Sequence, residues 1–237
     1  MSDWINDRTP RDGTRAGRGL ASVPTGTSAG RPPEAWHVVV PVKGGPDAKS
    51  RLRAPYGVDR LVLARALALD TVGAAAAAVG ADHVVVVTSD PEVLEAVGKL
   101  GARTLPDPGR GLNEAVRTGL GAVAPDHPAA VLLGDVPALR ADDLRAALAS
   151  ADAYDCWFVP DAEGTGTVLL GAREAESVRP RFGSGSADRH EADGHSRLEL
   201  ELDRLRRDVD DAASLGEALR LGVGPSTAGL LAHLIGL

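Results

Sequence analysis

Short apolar runs alternate with longer stretches of helical spacing along the first half of the chain, and that alternation predicts its architecture. Residues 36–42 are centred on the β-branched Val38, Val39 and Val40 and read as a strand buried on both faces. From 58 to 79, Leu61, Arg65, Leu69 and Val72 recur at helical intervals, and the alanines at 74–78 read as a tightly packed or propensity-driven helix face. A second apolar run at 83–88 leads into Ser89-Asp90-Pro91, where a capping side chain and a first-turn proline open the next helix. A short strand at 102–105, a helix at 112–123 and a third apolar strand at 130–133, ending in Gly134-Asp135, extend the series. Such βαβα alternation predicts a mainly parallel sheet covered on both faces.

The second half breaks that rhythm. After a helix at 142–150, strands at 156–159 and 167–170 are separated by a short turn around 161–166, a spacing that suits a hairpin and hence a locally antiparallel edge. Residues 181–196 mix glycines, two histidines and both signs of charge without a period, so no element is assigned there. Residues 205–209 read as a last short strand, and 213–221 and 227–235 as closing helices. No internal repeat is visible. The expected fold class is α/β, with one domain over residues 35–237. Residues 1–34 are rich in Gly, Ser, Thr, Pro and Arg and lack an apolar h-region, so they are expected to be a disordered tail, neither signal peptide nor strand.

Composition narrows the function classes. With 237 residues, 43% of them apolar, the chain has ample core for one domain. A net charge of −7 and a pI near 5.4 argue against a nucleic-acid partner, which calls for a basic footprint. No apolar run approaches the ~20 residues of a membrane span. Cys156 is the single cysteine, so no intramolecular disulfide forms, and a reducing, cytoplasmic setting is expected.

Against the acidic background, the loop after the first strand is locally basic. Between Pro41 and Arg53 it carries Lys43, Lys49, Arg51 and Arg53. In open α/β sheets ligands bind outside the carboxyl ends of the strands, and this loop is where a polyanion meets backbone N–H groups and cations. Neither GxxxxGK[ST] nor GxGxxG is present, so the site is neither a P-loop nor a dinucleotide fold. Taken alone, such a loop reads more readily as a solvated basic surface.

Downstream carboxylates change that balance. Asp135 follows the third apolar strand, at its carboxyl end, where it suits a hard cation or, alternatively, a turn or cap. In Asp208-Val209-Asp210 residues two apart point the same way when the chain is extended, so both carboxylates can face one site; a solvated turn is the competing reading. A triphosphate beside three carboxylates is repelled, each charge pair at ~4 Å costing roughly 4 kcal/mol at an effective dielectric near 20. Mg²⁺ would reverse the sign of that interaction. Lys43, Lys49 and Arg51 would take the remaining phosphate oxygens, lysines as point charges and arginine as a fork.

Six motifs then stand in a recognisable order: Pro41-Val42-Lys43 through Ala48-Lys49-Ser50-Arg51-Leu52, Leu112-Asn113-Glu114-Ala115, Gly134-Asp135-Val136-Pro137-Ala138-Leu139, Gly164-Thr165-Gly166-Thr167, Arg181-Phe182-Gly183 with Ser186 and His190, and Asp208-Val209-Asp210. In these motifs the chain resembles the 2-phospholactate/phosphoenolpyruvate guanylyltransferases, from about residue 36 to the end. The resemblance implies a single-domain, three-layer α/β/α nucleotidyltransferase fold of the molybdopterin-guanylyltransferase type (Rossmann-like, GT-A type). It implies GMP transfer from GTP to a phosphorylated three-carbon acid in the biosynthesis of coenzyme F420, with phosphoenolpyruvate favoured over 2-phospholactate. Its implied Mg²⁺ ligands are Asp135 and Asp208, with Asp210 close by. Thr167, Gly183 and Ser186 would hold the acceptor's carboxylate. Thr88, Ser89, Leu112 and Asn113 are candidates for guanine readout because they follow strands or open helices on the ligand side, though each also suits a cap. Phe182 reads as a packing residue rather than a stacking platform, and His190 as a loop histidine, with a substrate contact as the alternative. Hand-over of the product to the next enzyme of the pathway is a further expectation. Two other functions compete: a nucleotidyltransferase of the same fold acting on molybdopterin or a sugar phosphate, and a nucleotide-binding domain without catalysis.

Overall fold

A computed structural model describes residues 35–44, 52, 54–55 and 57–235 of the protein. The apolar runs of the first half form strands because nearly every side chain in them is buried. β1 (His37–Pro41), β2 (Val84–Val87), β3 (Arg103–Leu105) and β4 (Ala129–Leu132) lie side by side and parallel, in the order β3-β2-β1-β4. Successive residues face opposite sides of the sheet. Val38 and Val40 therefore enter one core with α1 (Arg60–Val79), α2 (Pro91–Leu100) and α4 (Ala141–Ala151), while Val39 enters a second with α3 (Leu112–Leu120). Two cores on two faces make the three layers, so a mainly parallel α/β/α sheet is what the chain adopts.

The sheet continues as β6-β5-β7, with β5 (Cys156–Pro160), β6 (Thr167–Ala172) and β7 (Ser196–Arg197). β6 pairs antiparallel with both β4 and β5, whereas β7 runs parallel to β5. The expected hairpin is present, but it is not at the edge. Trp157, Phe158 and Val159 of β5 are wholly buried, and β7 covers the flank that the sequence left open. Residues 181–196, without a visible period, contain α5 (Ser186–Ala192) as well as β7.

The strand expected at 205–209 is absent. A single helical turn, α6 (Asp203–Arg206), is followed by irregular chain. Leu205 and Val209 are both fully buried, but in different cores, so they act as separate plugs four residues apart. A third, smaller core joins Val209 to Leu63 and Leu67 of α1, Leu215 and Ala218 of α7 (Ala212–Leu221), and Leu231 of α8 (Pro225–Ile235).

The most apolar 18-residue window of α1 has a mean hydropathy of 1.6, the length and composition of a membrane span. Its polar residues show it to be a core helix instead. Asp70 accepts from the backbone N–H groups of Ser226 and Thr227 at 2.8 and 2.9 Å, capping α8, and Arg65 reaches Asp90 at 2.9 Å. Asp90 in turn caps α2 through Glu92 and Val93, as Ser89-Asp90-Pro91 foretold.

Candidate active site

β1 and β4 end side by side, and Gly134 is what lets them. A Cβ at this position would lie 2.9 Å from the Pro41 carbonyl oxygen and 3.0 Å from Val42 Cγ2, so any side chain would push the two strand ends apart. Asp135 comes next and is held from both sides. The following N–H, of Val136, donates to Thr71 Oγ1 of α1 at 3.0 Å, and the Asp135 carbonyl accepts from Val209 N–H at 2.9 Å. Val209 is fully buried. Its neighbours Asp208 and Asp210 are thereby brought to Asp135, and one carboxylate oxygen from each of the three lies within 4.8 Å of the others.

Asp208 also belongs to a second acidic group with Asp161 and Glu163, again within 4.8 Å. Asp161 closes the β5–β6 turn by accepting from Thr165 N–H at 2.9 Å and Gly166 N–H at 2.8 Å. Glu163 pairs with Arg207 at 2.6 Å, and Ala162 N–H donates to the Arg206 carbonyl. The turn is thus pinned to the segment that carries Asp208. The donor set around Asp135, with carboxylate oxygens within 4.8 Å of one another, suits a hard divalent cation such as Mg²⁺, which takes oxygen ligands at about 2.1 Å.

Because β6 runs against its neighbours, its first residue, Thr167, sits at the same sheet edge as the carboxyl ends of β1 and β4; Leu133 N–H donates to Val168 O at 3.0 Å. Thr167 is only 3% exposed. Beside it runs a loop whose backbone is clamped by three side chains. His190 Nε2 accepts from Arg181 N–H at 3.0 Å, Asn113 Oδ1 accepts from Phe182 N–H at 2.9 Å while its Nδ2 donates to Phe182 O, and Arg189 donates to the Arg181 and Ser184 carbonyls. Gly183, at φ +122°, stands between those clamps, and among the described residues its N–H has no partner. Ser186 is buried at the start of α5, one helical turn before His190.

Thr88 and Ser89 directly follow β2, at the carboxyl edge that β1 shares. Thr88 is fully buried, its hydroxyl accepting from Asp90 N–H at 3.1 Å, and Ser89 donates to the Asp107 carbonyl at 3.3 Å. Leu112 is 40% exposed at the start of α3. Asn113 spends its amide on the Phe182 backbone, the role of a clamp. Lys43 is exposed at the end of β1; Lys49 and Arg51 lie outside the described residues. His190 is no loop residue: it is helical and fully buried, ringed by Phe158, Phe182 and His195 at centroid distances of 5.3–5.8 Å. Burial, reinforced by the His195 ring and the Arg189 guanidinium, pushes its pKa down to about 4, so the ring is neutral at physiological pH. Sequence reasoning placed it in a loop because the surrounding segment has no period. The signal that could have found it was the four-residue spacing from Ser186.

The MobA-like NTP transferase domain matches residues 61–199. Phosphoenolpyruvate guanylyltransferase of Geodermatophilus obscurus is 50% identical over 206 residues, covering 83% of this chain and 94% of that protein. The chain belongs to the phosphoenolpyruvate guanylyltransferase family. The enzyme of the same name from Salinispora arenicola is 48% identical over 199 residues, covering 82% and 92% of the two chains. Among solved structures, Rv0371c of Mycobacterium tuberculosis in complex with manganese superposes with a TM-score of 0.50 at 22% identity, over 79% of this chain and 98% of that one. 4-Diphosphocytidyl-2C-methyl-D-erythritol synthase of Anaerococcus prevotii gives 0.53 at 11%, over 78% and 94%. These two share the fold, and the family makes this chain a nucleotidyltransferase.

Proposed function

We propose that the protein transfers GMP from GTP to phosphoenolpyruvate, with release of pyrophosphate, in the biosynthesis of coenzyme F420. The observation that carries this reading is the convergence of Asp135, Asp208 and Asp210 at the carboxyl end of β4, in a chain 50% identical to a phosphoenolpyruvate guanylyltransferase. A phosphate oxygen of the acceptor attacks the α-phosphorus of GTP in line. A phosphate monoester is largely dianionic at neutral pH, so no general base is needed, and the neutral, buried His190 is not asked to be one. Catalysis reduces to positioning and neutralisation of charge. Thr167, Gly183 and Ser186 hold the acceptor's carboxylate, while Lys43, Lys49 and Arg51 take phosphate oxygens. Asp135 and Asp208, with Asp210, would hold Mg²⁺, which when bound neutralises phosphate charge and orients the reacting groups. A reducing cytoplasmic setting fits the single cysteine.

Pyrophosphate release should be measured with GTP alone, with phosphoenolpyruvate and with 2-phospholactate, and the products identified by mass. The phosphoenolpyruvate adduct is expected to dominate when the acceptors compete. A dominant lactate adduct overturns the choice of acceptor; turnover with neither, under saturating GTP and Mg²⁺, overturns the reading itself.

A further inference from the structure

His190 makes two hydrogen bonds, and together they settle where its proton lies. Nε2 faces Arg181 N–H at 3.0 Å, and Nδ1 faces Thr167 Oγ1 at 2.9 Å. A backbone N–H is always a donor, so Nε2 must be the acceptor; a ring protonated at Nε2 would set two donors against each other inside a fully buried site. The proton of the neutral ring is therefore on Nδ1, and Nδ1–H donates to Thr167. The threonine hydroxyl, having accepted there, keeps its own hydrogen to give. Among the described residues no acceptor for that hydrogen is found, although Thr167 is 3% exposed and sits at the sheet edge with Asp135. A nearly buried donor without a partner is costly in the free protein and is satisfied when an anion arrives.

We propose that His190 is a positioning residue for the acceptor: by donating from Nδ1 to Thr167 Oγ1 it turns the threonine hydroxyl into an obligate donor aimed at the acceptor's carboxylate. This rests on the reading of Thr167 as an acceptor contact. The same ring, through Nε2, holds Arg181 and with it the clamped Phe182-Gly183 segment, so one buried imidazole sets both the polarity of the hydroxyl and the position of the neighbouring backbone. A purely structural histidine needs satisfied nitrogens only; it does not require the hydroxyl hydrogen to be left over. The neutral state of the ring keeps this arrangement intact over the working pH range, because protonation at Nε2 would break the bond to Arg181.

Two experiments on the full chain test this. Nitrogen-15 NMR of the free protein should show His190 protonated at Nδ1 and bare at Nε2, without titration between pH 8 and 5; the Nε2–H tautomer, or titration near the ordinary 6.5, overturns the proposal. Steady-state kinetics should show Thr167→Val and His190→Phe each raising the KM for phosphoenolpyruvate about 10- to 100-fold, the loss of one hydrogen bond to a charged group. The KM for GTP should stay within twofold. Thr167→Ser and His190→Asn, which keep a hydroxyl and a donor near Nδ1, should recover most of the loss. An unchanged acceptor KM in Thr167→Val sinks the acceptor-contact reading and the proposal with it. A raised KM in Thr167→Val beside an unchanged one in a folded His190→Phe sinks the role of His190 alone.

Discussion

Two regions meet at one edge of the sheet and are held together in opposite ways. At the end of β4, Asp135, Asp208 and Asp210 bring carboxylate oxygens within 4.8 Å of one another, and Val209 N–H to Asp135 O and Val136 N–H to Thr71 Oγ1 fix the backbone beside them. Around Thr167, the side chains of Asn113, Arg189 and His190 pair with backbone groups, and His190 also with the Thr167 hydroxyl. The acidic region offers the kind of oxygen donors that a hard cation takes. The cradle is set up to stand rigid without a ligand. Loss of a side-chain polar group should therefore cost function in the first region and stability in the second.

The largest expected effect breaks the acidic region. Asp135→Asn and Asp208→Asn preserve shape but remove charge, so turnover should fall by about two orders of magnitude or more while the melting temperature holds or rises. EDTA should mimic both on the wild-type enzyme, and added Mg²⁺ should reverse it. A near wild-type rate in either variant, at saturating acceptor, removes that residue from the metal site.

Asn113→Ala sharpens the contrast from the other side. It strips both partners from the Phe182 backbone and should lower stability by about 1–3 kcal/mol in denaturant melts. The KM for the acceptor should rise more than that for GTP. The reverse order would mark Asn113 as a reader of guanine after all.

A smaller effect is a pH slope confined to the cradle. Because the folded pKa of His190 is depressed to about 4 from an unfolded value of 6.5, the unfolded chain takes up the proton first. The stability in question is intact above pH 6.5 and is lost as pH falls from there toward 4, by at most about 3 kcal/mol. His195, whose pKa burial also lowers, adds to the slope in the same direction. Urea titrations across that window should show a shallower slope for His190→Asn than for wild type; an equal slope would place the effect elsewhere.

The smallest effect serves as the control. Deleting residues 1–31, whose composition offers little apolar surface to bury, should change neither turnover nor melting temperature. Loss of cooperative unfolding would tie that segment to the core.

Legibility followed the density of apolar signal. Val38-Val39-Val40, Val84 to Val87 and Val131-Leu132 announce strands because a parallel strand buried on both faces must be apolar at every position. Asp135 could be read as a site residue for the same reason: it is the first charge after such a run. The segment at 205–209 misled because Leu205 and Val209 look like a strand remnant, yet each fills a different core. Residues 181–196 stayed unread because α5 is too short to show a period and is held by the His190–Thr167 bond and the packing of the Phe182 ring on His190 rather than by propensity.

By itself, then, the amino-acid order determined the central parallel strands, the turn that places Asp135 at a strand end, the spacing of Asp208 and Asp210, and the family motifs. These depend on local burial and on neighbours close in the chain. Only the tertiary structure decided that β6 inserts between β4 and β5, carrying Thr167 to the edge where Asp135 lies, and that Asn113 is a clamp. It alone decided that His190 is buried with its Nδ1 proton aimed at Thr167. The bonds that decide them, β4 to β6, Asn113 to Phe182 and His190 to Thr167, join residues at least 23 positions apart, and which partner wins is settled when the cores close around them, not by the residues on either side.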